Sequence, residues 1–325
     1  MAGADLTADE MRAWRLLALL GAATLPGLYL AGFAIRWSSI PMPGLAAILL
    51  HLIARFYRIV RPAPRIGAAC EALAQLIIFT MIAGPLSYLA ASLGGPLQDS
   101  RLAAMDALFG LDWRRWLALL DSAPGVAGIL RVAYDTLMPQ LAAVLLLLGF
   151  TGRTEELRRF VWATSLAGLA AVLISGLIPA AGCYAYFGLT PADFPHINPS
   201  VPFLHMADFT GLRDGSDRLI DLATLKGIIT FPSFHAALAT LYGWAFWQNR
   251  ALRWPGLAFE ALVLLATPVD GGHYFADVAA GMLIASVSLW FARHIVAPST
   301  PPLQRWGRLT RRVGAGGKPP PHPLH

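Results

Sequence analysis

The chain has 325 residues, 56% of them hydrophobic and only 14% charged; an ordinary soluble domain carries about a quarter charged residues, and the long apolar runs decide against a soluble globule. A net charge of +6 would point to nucleic acid only if it were gathered on one face, and here the Arg residues are scattered between apolar runs. Two cysteines, Cys70 and Cys183, cannot build a disulfide framework and are expected as free thiols at opposite membrane faces.

The first ten residues hold Asp5, Asp9 and Glu10. A cleavable leader needs a positive start and a small-residue cleavage site, so the first apolar run is read as a membrane helix that stays. A spanning helix needs about 20 mostly apolar residues. Eight segments qualify: 14–35, 40–59, 70–93, 126–150, 157–179, 232–248, 254–268 and 273–295. The second contains His51 and ends with Arg55 and Arg58, whose side chains can snorkel to the surface. Without it the count is seven, and the N-terminus changes sides. The expected fold is all-α: a polytopic membrane helix bundle with a six-helix core preceded by two N-terminal spans.

Basic residues orient the bundle. With both ends inside, 17 of the 25 Lys and Arg residues fall on the inner face, as the positive-inside rule requires. The expectation is an integral protein of a bacterial-type inner (plasma) membrane with both termini cytoplasmic. Three regions follow: residues 1–69, two spans and a basic inner linker; residues 70–296, the six-helix catalytic core; and residues 297–325, a disordered basic Pro-rich tail. Within the core, 98–120 carries Trp113 and Trp116 and reads as an amphipathic helix at the interface. Residues 180–231 form a long polar outer loop, and such loops are often functional.

Chemistry concentrates where two apolar helices begin on that outer face. The first start reads Phe231-Pro232-Ser233-Phe234-His235-Ala236. Pro fits the first turn of a helix, free N–H groups there attract an anion, and the Ser233 hydroxyl is a further donor. The second reads Asp270-Gly271-Gly272-His273-Tyr274-Phe275-Ala276-Asp277. His273 and Asp277 are four apart and share a helical face, so the carboxylate can accept the Nδ1 proton and leave Nε2 as a base or nucleophile. An unpaired carboxylate at the depth of Asp277 would cost roughly 2.5–3.5 kcal/mol. The ordinary alternative for either His is a solvated polar residue at an interface. Two such starts on one face, each with an imidazole, outweigh it.

These two motifs resemble the second and third signatures of the type 2 phosphatidic acid phosphatase superfamily. The variant is most similar to its inositol phosphorylceramide synthase (inositolphosphotransferase) branch, with Pro-Ser-x-His and His-Tyr-x-x-Asp. The resemblance implies a metal-independent enzyme without cofactor, acting on a lipid phosphate at the outer face through a phosphohistidine. It makes His273 the nucleophile, Asp277 its orienting carboxylate, His235 the acid for the leaving oxygen, and Ser233 and Phe234 part of the substrate site. The chain departs from the wider pattern: Thr267 stands where the third signature carries Arg, and Arg61-Pro62, the nearest match to the first signature, falls on the inner face. The phosphate clamp must come from elsewhere, with Arg131, Lys226, Arg213 and Arg218 as cations and Tyr134 and Tyr184 as hydroxyl donors. Arg131 stands four before Asp135, and the plain alternative is a local ion pair. Asp270 is a candidate for binding a polyol or for capping the next helix.

Four functions compete. A phosphotransferase would pass a phosphoryl-linked group from a lipid donor to an alcohol, and a phosphatase would pass it to water. A transporter with a His/Asp proton relay would carry those groups mid-span. A zinc site of His235, His273 and Asp277 is conceivable by ligand type. The bilayer and a lipid phosphate are the expected partners, with no nucleic acid.

Overall fold

The computed structural model describes residues 6–296, so the 297–325 tail lies outside the described residues. Thr7 opens helix α1 (Ala8–Leu30): its hydroxyl accepts the Glu10 N–H while the Glu10 carboxylate accepts the Thr7 N–H. This is a capping box, which satisfies two orphan donors at once. Helix α2 (Pro41–Ile59) starts on Pro41 and α3 (Pro64–Ser92) on Pro64, positions where a missing N–H costs nothing. The chain continues through α4 (Asp99–Leu108), α5 (Trp113–Asp121), α6 (Pro124–Asp135), α7 (Leu137–Phe150), α8 (Thr154–Leu177), α9 (Cys183–Phe187), α10 (Ser200–Asp214), α11 (Phe234–Trp247), α12 (Arg253–Asp270) and α13 (Phe275–Ile295). Two short strands, β1 (Ala34–Ile35) and β2 (Leu219–Ile220), pair in parallel.

The molecule is an all-α polytopic bundle. Helices α3, α7, α8, α11, α12 and α13 pack on one another, and α1 and α2 lie against α3. Burial separates centre from periphery: 56% of the apolar window of α8 is buried, against 22% for α1 and 17% for the α2 region. The outward faces of α1 and α2 carry Leu19, Leu25, Leu45 and Leu49 exposed, which suits hydrocarbon and not water.

The eight expected spans coincide with helices, but not uniformly. Five (α1, α2 with its preceding turn, α3, α8 and α13) are long and apolar enough to cross a membrane. Helices α7 and α11 have 14 residues each, and α12 carries Arg253, Glu260 and Asp270. The expected span 126–150 is two helices, α6 and α7, meeting at Thr136. The single interfacial helix expected over 98–120 is likewise two, α4 and α5, and α5 turns through 110° into α6. The break has a local cause: Asp112 accepts the Arg115 N–H and starts α5 anew. The segment expected as a polar loop, 180–231, is folded back on the bundle through α9, α10 and β2. Cys70 and Cys183 are both free thiols.

The two ends of the bundle differ. At one end, Glu10 takes both Arg58 guanidinium nitrogens at 2.8 and 2.9 Å, and Arg12 donates to the Ile295 carbonyl at 2.7 Å. The start of α1 therefore meets the last turns of α2 and α13. At the other end, the starts of α11 and α13 converge because Gly281 lets them touch. A Cβ there would stand 2.2 Å from the Ser233 carbonyl oxygen. Gly281→Ala is therefore expected to lower stability by about 1–3 kcal/mol through overpacking, read as a lower unfolding temperature in detergent. Leu283→Ala, on an exposed position two residues on, should leave it nearly unchanged; equal effects would contradict this packing.

Candidate active site

Helix α12 ends at Asp270, and α13 does not begin until Phe275, with Tyr274 as its N-cap. His273 therefore stands in the turn before the helix, and not on a helical face with Asp277 as its spacing suggests. Capping brings the two together instead. One Asp277 oxygen reaches back to accept the Tyr274 N–H at 2.9 Å and lies 3.3 Å from His273 Nδ1. The shorter contact of Nδ1, at 2.8 Å, is to the Thr230 carbonyl. A carbonyl can only accept, so Nδ1 carries the hydrogen and Nε2 keeps its lone pair. His273 is 3% exposed and Asp277 fully buried, so little water competes for either.

His235 occupies the first turn of α11. Ser233 is the N-cap, its oxygen accepting the Ala236 N–H at 3.3 Å; Pro232 lies just outside the helix and not in its first turn. The Ser233 N–H donates to the Asp277 carbonyl, tying the two motifs directly. The imidazoles of His235 and His273 stand 6.0 Å apart between ring centres. Tyr134 lies 5.1 Å from His235, and its hydroxyl is buried without a hydrogen-bond partner. A Cβ on Gly271 would meet that hydroxyl at 2.9 Å and His273 Cδ2 at 2.6 Å, so the phenol oxygen and the Cδ2 edge of the imidazole flank the same glycine. An orphaned buried hydroxyl costs about 1–3 kcal/mol, and a substrate oxygen would supply the missing partner.

Two carboxylates on α4 hold this arrangement. Asp99 accepts the Ala181 and Gly182 N–H groups and the Tyr274 hydroxyl, the last at 3.0 Å. Asp106 accepts the Phe275 and Ala276 N–H groups at 2.9 and 2.8 Å. It places a negative charge on the start of α13, where the helix dipole favours it. Burial raises the Asp106 carboxyl above its usual range, and those two N–H bonds oppose the rise. Sequence reading missed both residues, although their seven-residue spacing puts them on one helical face.

It also missed His205. This imidazole lines a cavity of about 170 Å³ with Tyr184, Thr230, Gly271 and Gly272. Burial, and after it the neighbouring His273, pull its pKa down to about 4. No local pattern marks it; only the folding of 180–231 over the His273 turn brings it in.

The other candidates are placed as follows. Arg131 pairs with Asp135 at 2.9 Å, donates to the Asn198 carbonyl, and lines a cavity of about 240 Å³ with His196 and Asp270. Asp270 ends α12 and does not cap α13, where Asp277 accepts the Tyr274 N–H and Asp106 the Phe275 and Ala276 N–H groups. Lys226 pairs with Asp208 at 3.0 Å. Arg213 and Arg218 donate to the Gly95 and Leu212 carbonyls. The Phe234 ring packs against Gly168 of α8. Tyr184 donates to the Val269 carbonyl at 3.0 Å. Thr267, where the wider family pattern has Arg, is fully buried and bonds the Val263 carbonyl. Among the described residues, no group of three or more His, Cys, Asp or Glu is arranged to hold a metal ion.

The family model of the PAP2 superfamily matches residues 100–291, which takes in both histidine motifs and more than half of the chain. No curated protein and no solved structure matches the chain.

The low pKa of His205 has a stability consequence. Between about pH 6.5 and 4 the unfolded chain takes up a proton that the folded chain refuses, so this residue erodes stability as pH falls through that window. Unfolding temperatures of the parent should therefore drop more between pH 7 and pH 5 than those of His205→Gln. Parallel slopes would contradict the buried placement.

Proposed function

The chain belongs to the PAP2 superfamily, and on that premise we propose that it is a membrane-embedded lipid phosphotransferase working through a phosphohistidine on His273. Membership supports phosphatase- or phosphotransferase-type chemistry on a lipid phosphate; the transfer and its residues are our reading. The observation that carries it is the commitment of His273 Nδ1–H to the Thr230 carbonyl beside a second imidazole 6.0 Å away.

In the first step Nε2 of His273 attacks phosphorus, and the bond to the lipid's leaving oxygen breaks. His235 gives that oxygen a proton. Positive charge on the His273 ring is stabilised by the Thr230 carbonyl and by Asp277, whose second oxygen is buried without a partner. In the second step an acceptor O–H attacks from the side the leaving group vacated. Its proton passes to His235, the N–P bond breaks, and the electron pair returns to Nε2. Splitting the transfer in this way is nucleophilic catalysis. The Tyr134 hydroxyl is the natural donor to a phosphoryl oxygen, with Ser233 and the nearby backbone completing the cradle. Asp270 and Arg131, facing one cavity beside the catalytic turn, would meet the polar headgroup.

Transfer is favoured over hydrolysis on two grounds. The motifs resemble the inositol phosphorylceramide synthase branch. Beyond Asp277 and the Thr230 carbonyl, the groups placed beside the histidine pair are the Tyr134 phenol and the His205 imidazole, while Lys226 and Arg131 face carboxylates. A weakly charged cradle suits the single charge of a phosphodiester lipid better than the double charge of a monoester. We place the catalytic mouth on the outer face of a plasma membrane with both termini cytoplasmic, because that orientation obeys the positive-inside rule. We also expect activity to be independent of added metal.

His273→Ala should abolish turnover of a lipid phosphate or phosphodiester in purified protein, and chelator should leave the parent's rate unchanged. His235→Ala should slow poor leaving groups by about 10²–10⁴-fold and nitrophenol-type leaving groups far less. A fully active His273→Ala would remove the nucleophile assignment, and inhibition by chelator would revive a metal mechanism. Offering a panel of alcohols should yield new phosphodiester products; release of free headgroup phosphate alone would make the enzyme a phosphatase.

A further inference from the structure

At the end of the bundle away from the histidines, α1 and α2 both lie on α3 and leave a groove between them. The groove encloses about 470 Å³ and is walled by Met11, Trp14, Arg15, Ile48, His51 and Leu52. It is remote from the catalytic turn: Arg12 on α1 bonds the last residue of α13, whose 21 residues span about 30 Å. Below it sits Glu71, 1% exposed, a carboxylate in a membrane-spanning helix. Such a group is expensive unless paired and is a functional marker by default. Its two oxygens are taken, one by the Trp14 indole N–H at 2.5 Å and the other by His51 Nδ1 at 3.0 Å.

The charge balance of the groove follows from these pairings. The neighbouring acids are likewise engaged, Glu10 with Arg58 and Asp9 with Arg12 and Arg158. Among the described residues, no acidic side chain lines the groove. Arg15 does line it, is exposed, and has no hydrogen-bond or ion-pair partner among the described residues. It stands about two turns inside α1, and a guanidinium there can snorkel to lipid headgroups. The remaining walls are apolar, and they continue into the exposed faces of α1 and α2.

We propose that this groove is a binding site for one anionic phospholipid of the leaflet opposite the catalytic histidines. Its phosphate would sit on Arg15, and its acyl chains would run along Ile48 and Leu52. A lipid phosphate matches Arg as a charge-assisted acceptor, and the acyl chains supply the apolar contacts the walls require. The Arg-rich stretch 305–312 of this same chain carries the wrong charge to be the occupant. The site is separate from the reaction proposed above and stands or falls without it.

The test is native mass spectrometry of the full chain in detergent, with phosphatidylglycerol and phosphatidylcholine of identical acyl chains. The expected result is one phosphatidylglycerol retained about tenfold more strongly than phosphatidylcholine. Arg15→Gln should abolish that preference. Leu52→Trp, which fills the groove, should release the lipid, and Arg36→Gln, at the opposite end, should change nothing. Unfolding temperatures confirm that each variant is folded. Equal retention of the two lipids would overturn the proposal, as would undiminished phosphatidylglycerol binding in both Arg15→Gln and Leu52→Trp. So would crosslinking of Arg15→Cys to residues 297–325 or to a second copy in place of lipid.

Discussion

One hydrogen bond underlies the proposed chemistry: His273 Nδ1–H to the Thr230 carbonyl, 2.8 Å long and part-buried. It fixes the tautomer, and with it the direction of the lone pair that the proposed reaction uses. Thr230 is 43 residues from His273, so the bond exists only if the starts of α11 and α13 are pressed together. Gly281 permits that approach, the Ser233 N–H to Asp277 carbonyl bond locks it, and Asp106 and Asp99 hold the turn from α4. The rest of the bundle is scaffold for this junction.

The polar groups at the junction are economical. Asp277 closes the helix N-terminus and braces the imidazole with the same oxygen. Ser233 caps one helix while its backbone bonds the other. Dense mutual satisfaction of this kind makes a site rigid, and rigidity is what electrostatic stabilisation of a transition state requires. The exceptions are informative. The Tyr134 hydroxyl and the second Asp277 oxygen are buried without partners, and both border the place where a phosphoryl group and a charged ring would appear.

Much of this was legible in the sequence. Hydropathy placed the helices, and the two histidine motifs named the pair that the structure brings to 6.0 Å. The relation between His273 and Asp277 was read by the wrong geometry, because four-residue spacing describes a helix interior and also a capping residue reaching back past the N-cap. Residues 98–120 were read as one helix because Trp and Leu recur through it; the Asp112 cap that divides it is a single residue and a weak signal. Asp99 and Asp106 share a face that periodicity alone reveals, but nothing says what the face touches. His205 left no trace at all, since its place depends on how 180–231 folds over the turn. Arg131 and Lys226 show the limit of counting charges: their carboxylate partners, Asp135 and Asp208, decide what each can do.

The most direct measurement is the identity of the phosphorylated atom. The purified chain is quenched at alkaline pH during turnover of a lipid phosphate, digested, and read by phosphorus NMR and tandem mass spectrometry. The proposed mechanism requires the phosphoryl group, still carrying its headgroup when the donor is a phosphodiester, on Nε2 of His273, because Nδ1 is held by the Thr230 carbonyl. Phosphate on Nδ1, on His235 or His205, or steady turnover with no phosphohistidine in a rapid quench, would contradict it.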